Sequence, residues 1–255
     1  MVKFRAVSHR MIFWILGASA SLFLLISWYE YTLAEHFLRQ QIRSEANLIK
    51  QDMVSRVDDL IDKVSNNVET IALLLPVVES QPERLKELLE KLVGRQSDIY
   101  GMTIALNPDS SDINTHGFAP YYYRQDGRVI YADLSGEDYD YQSKPWYRQA
   151  VESGVPVWSE PYYDDGGGNI AMVTYSVPVY NDDNHQLIGV VTADLTLDHI
   201  SELVLKSALG QSGFAYIFTR KGNIITHSRP ELVMRNLDSV AITAGNQSEY
   251  VSVLD

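Results

Sequence analysis

The stretch that decides the fold is IAMVTYSVPVYNDDNHQLIGVVTADL, residues 170–195. Two runs rich in β-branched and aromatic residues, 170–180 and 187–195, are separated by the turn-forming sequence NDDNHQ. This pattern predicts two long antiparallel strands. Further strands are predicted over residues 99–106, 118–124 and 128–132.

Helical segments surround these strands. Residues 30–75 place an apolar residue about every 3.7 positions on one face, close to one helical turn, and Pro76 is expected to end that helix. Thr196 is placed to cap another helix that runs to about residue 209. Shorter helices are expected over residues 82–93, before Gly94, and 145–152. Antiparallel strands with helices outside them predict an α+β fold.

Two glycine-containing turns predict hairpins. Asp126-Gly127 is a two-residue hairpin signal between neighbouring strands. Arg220-Lys221-Gly222 separates two more runs, 214–219 and 223–226, and this hairpin is expected to open a second small domain. Only roughly fifty residues of that domain are present, too few for an independent core, so the chain is expected to be cut short.

The N-terminal region predicts a membrane anchor. Residues 11–29 are uncharged and would reach about 28 Å as a helix, close to the hydrocarbon thickness of a bilayer. The basic head before them places the N-terminus in the cytoplasm and everything after residue 29 outside, by the positive-inside rule. A cleaved signal peptide is the alternative, since Ala18-Ser19-Ala20 has the small residues of a cleavage site, although the apolar run continues past it.

Composition limits the classes of function. The 33 acidic residues all follow residue 29, so the exported part is strongly acidic. That charge disfavours nucleic acid and anionic lipid as partners and favours cationic or zwitterionic ligands. The chain has no cysteine, and its six histidines show no metal-ligand spacing. We therefore expect no metal and no cofactor.

Enzyme signatures are weak. The sequence lacks HExxH, GxSxG, Walker-type and GxGxxG motifs. The acids Glu137 and Asp138 are a conceivable glycosidase pair, but adjacent carboxylates usually lie in a surface loop. We expect no catalytic residue in this chain and keep an anchored periplasmic hydrolase as the last alternative.

One region is dense in aromatic rings and carboxylates. The segments YDYQSKPWYRQA, residues 139–150, and VWSEPYYDDGGGN, residues 157–169, supply the acceptors and ring faces that bind ammonium groups. Asp194 follows an apolar run, where a buried charge is costly unless it is paired. Each of these features also has a structural explanation when taken singly. Trp146 and Trp158 fit core positions, and residues 164–168 fit a solvated hairpin turn. The candidate ligand-binding residues are Tyr139, Lys144, Trp146, Tyr147, Tyr162, Asp164 and Asp194.

The order of these features resembles the double Cache family of bacterial extracytoplasmic sensors. The resemblance covers residues 30–255 and rests on an anchor and a long helix followed by KPWY, PYYD, GVVTADLTL and SGFAYIFTRKGNIITHS. It implies a PAS-like antiparallel sheet and the start of a second PAS-like domain. The implied segments are a cytoplasmic head (1–10), a transmembrane helix (11–29), a signalling helix (30–80), a membrane-distal ligand-binding domain (81–200) and a partial membrane-proximal domain (201–255).

The resemblance also implies a function and a site. Members that bind amino acids carry a pocket pattern that matches the candidate residues, except that Lys144 stands where they have arginine. Amine-binding members lack that arginine, so a small amine is the alternative ligand. The implied protein is the sensing part of a bacterial inner-membrane receptor, a homodimer that relays a helix shift to a cytoplasmic output module. A ligand-free dimerisation ectodomain is the second reading.

Overall fold

The computed structural model describes residues 2–78, 81–108, 117–136, 138–181, 183–205 and 215–244. Its helices are α1 (Val2–Val78), α2 (Pro82–Arg95), α3 (Pro145–Ser153), α4 (Leu197–Leu205) and α5 (Leu237–Ala244). Its strands are β1 (Gly101–Leu106), β2 (Pro120–Gln125), β3 (Arg128–Asp133), β4 (Val157–Trp158), β5 (Tyr162–Tyr163), β6 (Ala171–Tyr180), β7 (Leu187–Thr196), β8 (Ile217–Phe218) and β9 (Ile224–Thr226). Short 3₁₀ turns lie at Tyr141–Ser143 and Pro230–Leu232.

The chain divides into two compact units, Met1–Gln51 and Asp52–Asp255. The first unit consists of the N-terminal part of α1. Its apolar section reaches a mean hydropathy of 2.0, and α1 is long and apolar enough to cross a membrane by length and composition. The large apolar side chains of this section, from Met11 to Tyr29, are largely exposed. The span predicted at 11–29 falls within it.

The second unit is built on an antiparallel sheet with the strand order β3-β2-β1-β7-β6-β4, and β5 pairs with β6 as well. The hairpin predicted from residues 170–195 supplies its two longest strands, β6 and β7, paired from Met172 and Thr196 to Tyr180 and Leu187. β1 pairs along the other edge of β7. β7 is therefore hydrogen-bonded on both sides, in the interior of the sheet.

Successive side chains along each strand point to opposite sides, which gives this sheet two different faces. One face, with Val173 and Tyr175, shares a buried core with α2 and with an apolar stripe of α1. The stripe comprises Leu60, Val64, Val68, Ile71 and Leu75. Burial of each such side chain contributes about 1.5–3 kcal/mol, so the stripe fixes this part of α1 against the sheet. The opposite face carries Tyr121 and the aromatic cluster of α3, and it is there that the polar residues converge.

Most predicted elements are confirmed with small changes at their ends. Asp126 and Gly127 have φ values of +50° and +75°, as a two-residue type I′ turn requires. The Thr196 hydroxyl accepts a hydrogen bond from the His199 N–H at 3.2 Å, which confirms its capping role. The end of that helix predicted near residue 209 lies outside the described residues. The two-residue strands β4 and β5 were too short to give a sequence pattern.

Two predicted helix ends are wrong. Pro76 lies inside α1, which runs to Val78, because a proline in the last turn removes one hydrogen bond without unwinding the residues around it. α2 ends at Arg95 and not before Gly94. The Arg124 guanidinium donates hydrogen bonds to the carbonyls of Val93 and Gln96, and these satisfy acceptors that a helix end leaves unpaired.

The predicted second hairpin is formed by β8 and β9 around Gly222, whose φ of +83° favours glycine. Ile217, Ile225 and Val233 pack against the main core. This hairpin is therefore seated on the sheet domain, and the division into distal and proximal domains near residue 200 stays a prediction.

Candidate ligand-binding site

Asp194 lies near the end of β7, between β1 and β6, and its side chain is only 3% exposed. The register opposes it to Gly101 on one side and to Thr174 on the other. Its Oδ2 accepts a hydrogen bond from the Tyr121 hydroxyl at 2.8 Å, and its Oδ1 accepts one from the Thr174 hydroxyl at 2.7 Å. Because Thr174 gives its single proton to Asp194, the Tyr162 hydroxyl donates in turn to Thr174 over 2.8 Å.

A second buried carboxylate, that of Asp164, lies at the start of the glycine-rich loop between β5 and β6. Its Oδ1 accepts from the Tyr139 hydroxyl at 2.8 Å, and its Oδ2 accepts from the Gly168 N–H at 2.6 Å. The Trp146 indole N–H donates to the Tyr139 hydroxyl at 3.4 Å. The Lys144 ammonium lies 4.1 Å from the centre of the Tyr139 ring, a cation–π contact.

The two carboxylates influence the same set of titratable groups. Burial raises the pKa of Asp194 to about 7; the charge of Asp164 adds to the rise, and the hydrogen bonds from Thr174 and Tyr121 oppose it. Burial, followed by the charges of Asp194 and Asp164, raises the pKa of the Tyr162 hydroxyl well above its usual range. Both carboxylates therefore act on one electrostatic environment.

The structure brings the predicted residues together in two hydrogen-bonded groups. One joins Trp146, Tyr139 and Asp164 with Lys144 above the ring. The other joins Tyr162 to Asp194 through a threonine. The remaining predicted residue, Tyr147, is buried edge-on against Trp146 with ring centroids 5.8 Å apart. Of the rejected glycosidase pair, Asp138 is exposed, and Glu137 lies outside the described residues.

Sequence reasoning missed Tyr121 and Thr174, which hold Asp194. Tyr121 is 2% exposed, and Tyr123 stacks on it with ring centroids 5.2 Å apart. The sequence did contain a signal for Tyr121. Tyr121 and Tyr123 are two positions apart on a predicted strand, so their side chains lie on the same face of the sheet. Among the described residues, no three metal-ligating side chains form a cluster that could hold an ion.

The loop at 164–168 is both a turn and part of the site. The expectation of a solvated turn holds for Asp165, which is exposed, and fails for Asp164, which is buried because the turn folds back over its carboxylate. Gly166 has a φ of +88°. A methyl group at Gly167 would lie 3.0 Å from Cγ of Asp164 and against its Oδ2.

Gly167→Ala is therefore expected to displace the Asp164 carboxylate. Crowding of this kind costs about 1–3 kcal/mol, so the melting temperature should fall by several degrees. Differential scanning fluorimetry of the full chain in detergent measures this. Gly94→Ala is the matched control, since the nearest side-chain atom there is 3.9 Å away and alanine favours a helix. Equal melting temperatures for wild type and Gly167→Ala would contradict the geometry.

Comparison with known proteins shows which sensor domains this part of the chain is similar to. Residues 85–202, which run from α2 to α4 and include every candidate site residue, match the family described as methyl-accepting chemotaxis protein-like, first PDC sensor domain. Residues 85–202 are thus similar to the sensor domains of chemoreceptors. The predicted kinship with double Cache-like sensors and the predicted α+β fold are confirmed.

Individual chemotaxis proteins are also similar to this chain in sequence. The methyl-accepting chemotaxis protein McpA of Pseudomonas putida is 36% identical over 102 residues, which are 40% of this chain and 16% of that protein. The chain spans 14% to 33% of the lengths of the first three curated relatives.

Solved structures show the same fold. The extracellular domain assigned to the histidine kinase soHK1S-Z6 superposes with a TM-score of 0.64 at 27% identity, over 82% of each chain. The ligand-binding domain of the Pseudomonas aeruginosa amino acid chemoreceptor PctB, in complex with L-Arg, superposes with a TM-score of 0.52 at 25% identity, over 68% of this chain and 65% of that one.

Proposed function

We propose that this chain is the sensing segment of a bacterial inner-membrane receptor and that its distal domain, residues 81–200, binds the ammonium group of a small metabolite. One observation carries the proposal. Asp164 and Asp194 are both buried, and within the described part of the chain no basic side chain pairs with either carboxylate. Buried charges are costly unless they are paired, and a bound ammonium group would supply the partner.

The hydrogen-bonding capacity of the site supports this ligand. An ionised carboxylate has about four lone-pair positions, and each of these two carboxylates uses two of them in the contacts described above. The remaining positions would accept N–H bonds from an ammonium group at Asp194 and Asp164. The Tyr139 and Tyr162 hydroxyls would add contacts beside them. Trp146 and Tyr147 would form an apolar wall, whose rings favour a cation.

The position of Lys144 favours a ligand that also carries a carboxylate. Its ammonium group is held at the Tyr139 ring, next to the hydroxyl that binds Asp164. A second cation from a diamine would be repelled there, whereas a carboxylate would be attracted. We therefore propose an amino acid as the ligand, as in the PctB complex, and keep a small amine as the alternative.

Lys144→Met is expected to separate these two ligands. If Lys144 binds a ligand carboxylate, the variant should weaken amino acid binding by about tenfold to a hundredfold, through the loss of a charge-assisted contact. Binding of putrescine should not weaken. Isothermal titration of the full chain in detergent measures both affinities. Lys91→Met is the control, since Lys91 is exposed and its ammonium group forms an ion pair with Glu87 on the same helix. Unchanged amino acid affinity in Lys144→Met would favour the amine.

A thermal-shift screen tests the proposed function itself. The full chain in detergent is heated with single amino acids, putrescine and cadaverine. A ligand at 100 times its Kd stabilises the folded state by about 2.7 kcal/mol, which shifts the melting temperature by roughly 5–10 °C in a domain of this size. A panel without any shift would favour a ligand-free dimerisation ectodomain. Turnover of a bound compound would favour a hydrolase.

Contacts between the sheet and α1 support a relay of the signal. The Tyr175 hydroxyl donates to Oε1 of Glu69 on α1 at 2.6 Å, and Tyr175 is the neighbour of Thr174 in β6. We propose that ligand binding favours one arrangement of β6 and so shifts this part of α1. The exposed Leu73 and Val77, with 80% and 76% of their surfaces accessible, support a homodimer contact on the same helix.

A further inference from the structure

The carboxylate of Glu160, in the segment between β4 and β5, contacts the turn of the β8–β9 hairpin. Its Oε2 accepts a hydrogen bond from the Thr219 hydroxyl at 2.6 Å and another from the Asn223 amide at 2.8 Å. The Lys221 ammonium lies 3.9 Å from its Oε1 but is largely exposed, so this ion pair contributes little. The two hydrogen bonds therefore define the contact, and bonds to a charged acceptor are stronger than neutral ones.

The hairpin presents these donors in a fixed orientation. The Asn223 N–H donates to the Thr219 hydroxyl at 3.2 Å, across the turn that Gly222 allows. The Asn236 amide donates to the Asn223 Oδ1 at 3.1 Å and to the Lys221 carbonyl at 2.8 Å. Because its Oδ1 is bonded to Asn236, the Asn223 amide group is oriented with its nitrogen toward Glu160. The turn is thus built to meet an acceptor at this point.

Apolar packing alone would not fix this orientation. Ile217 and Ile225 of the hairpin pack against the main core, as does Trp158, two residues before Glu160. Hydrophobic contact is non-directional and tolerates small sliding movements. Hydrogen bonds to Glu160 need defined distances and angles, so they determine where the hairpin sits relative to the β4–β5 segment.

The same segment is bonded to the candidate site. Ser159, adjacent to Glu160, donates its N–H to the Thr174 carbonyl at 2.9 Å, and its hydroxyl accepts from the Thr174 N–H at 3.0 Å. The Thr174 hydroxyl in turn donates to Asp194. A continuous series of contacts therefore runs from Asp194 through Thr174 and Ser159 to Glu160 and the hairpin.

We propose that Glu160 is a positioning residue that couples the state of the Asp194 site to the β8–β9 hairpin. The proposal rests on the proposed function for its biological meaning, since the coupled site is the ligand site, but its physical content does not need a ligand. Any change in the hydrogen bonds at Asp194 alters the bonding of Thr174. Ser159 then transmits that change to the Glu160 carboxylate, and the hairpin follows. The hairpin would thus carry a second output beside the contact between Tyr175 and α1.

Hydrogen–deuterium exchange of the full chain in lipid nanodiscs tests this coupling without a ligand. The readout is the exchange rate of backbone amides in residues 217–226. Two variants perturb the site: Thr174→Val and the milder Tyr121→Phe, which removes the other donor to Asp194. Each is made alone and together with Glu160→Gln. When Glu160 is unchanged, we expect at least one of the two site variants to change the exchange rate of the hairpin by about threefold or more. In the Glu160→Gln background the change should fall to less than half of that.

Glu152→Gln is the matched control background, because Glu152 lies on α3 in an exposed ion pair with Arg148. It should leave the effect of the site variants on the hairpin intact. A merely structural role of Glu160 would raise hairpin exchange by the same factor in every site background, and that result would overturn the proposal. Unchanged hairpin exchange in both Thr174→Val and Tyr121→Phe would overturn it too. Absence of any ligand from the thermal-shift panel would count against the proposed function and leave this result standing.

Discussion

Replacing Asp194 by asparagine is expected to abolish recognition of the ammonium group while leaving the domain folded. Asparagine has nearly the same shape, and the hydroxyls of Tyr121 and Thr174 can each donate or accept a hydrogen bond, so the contacts can rearrange. The negative charge is lost. Removal of one charge from a buried ion pair costs about 2–5 kcal/mol, which is roughly 30-fold to a few thousandfold in Kd.

The unliganded protein should respond in the opposite direction. Burial raises the pKa of Asp194 because the ionised form is poorly solvated. A neutral amide avoids that cost, so the melting temperature of Asp194→Asn at pH 8 should equal or exceed that of the wild type. Isothermal titration with the most stabilising panel compound and a thermal scan without ligand measure the two effects.

Asp165→Asn is the control for this variant. It removes one negative charge from a neighbouring loop, but Asp165 is exposed, so binding should change little. Retained ligand affinity in Asp194→Asn would show that the ammonium group binds elsewhere. A melting temperature well below that of the wild type at pH 8 would show that the buried charge stabilises the empty domain.

The fold was largely predictable because its decisive signals are local. The hairpin of β6 and β7 follows from two apolar runs and one polar turn. Asp126-Gly127 specifies the turn between β2 and β3 by its backbone conformation alone. Helix ends were less predictable. The position where α2 stops depends on Arg124, which is distant in sequence and satisfies the last carbonyls.

The site was predictable in its residue types and less so in its connections. Asp194 is conspicuous in the sequence, because a charge in an apolar strand needs a reason. Its partner Tyr121 depends on the register between β1, β2 and β7, which no local pattern gives. The same register explains Gly101, where a methyl group would lie 2.6 Å from Cζ of the Tyr121 ring. Close approach of this kind is visible only in three dimensions.

For Lys144, too, the sequence predicts the type of group in the site but not its contacts. Its residue type predicted a cation near a ligand carboxylate. Its place above the Tyr139 ring follows from the start of α3, where Lys144 immediately precedes Pro145. The sequence thus indicates which groups take part, and the tertiary structure decides which of them meet.

Ligand affinity is expected to rise with pH through the range around pH 7. In the proposed site an ammonium group would bind the ionised form of Asp194, and burial raises the pKa of this carboxyl to about 7. From pH 6 to pH 8 the ionised fraction grows about tenfold, so the Kd should fall by about the same factor. Tyr121 and Tyr162 stay protonated over this range, because burial raises the pKa of each hydroxyl well above 10. Isothermal titration at several pH values measures the slope.

Stability without ligand should show the opposite trend. The folded state keeps the Asp194 proton up to about pH 7, whereas the unfolded chain releases it near 3.8. Between these values the folded state binds more protons, so its contribution to the free energy of unfolding decreases as pH rises, by a few kcal/mol at most, and levels off above pH 7. Asp194→Asn should remove this component. A Kd that is constant from pH 6 to pH 8, for a ligand whose own amine stays protonated, would contradict a role for the ionised Asp194 carboxylate in binding.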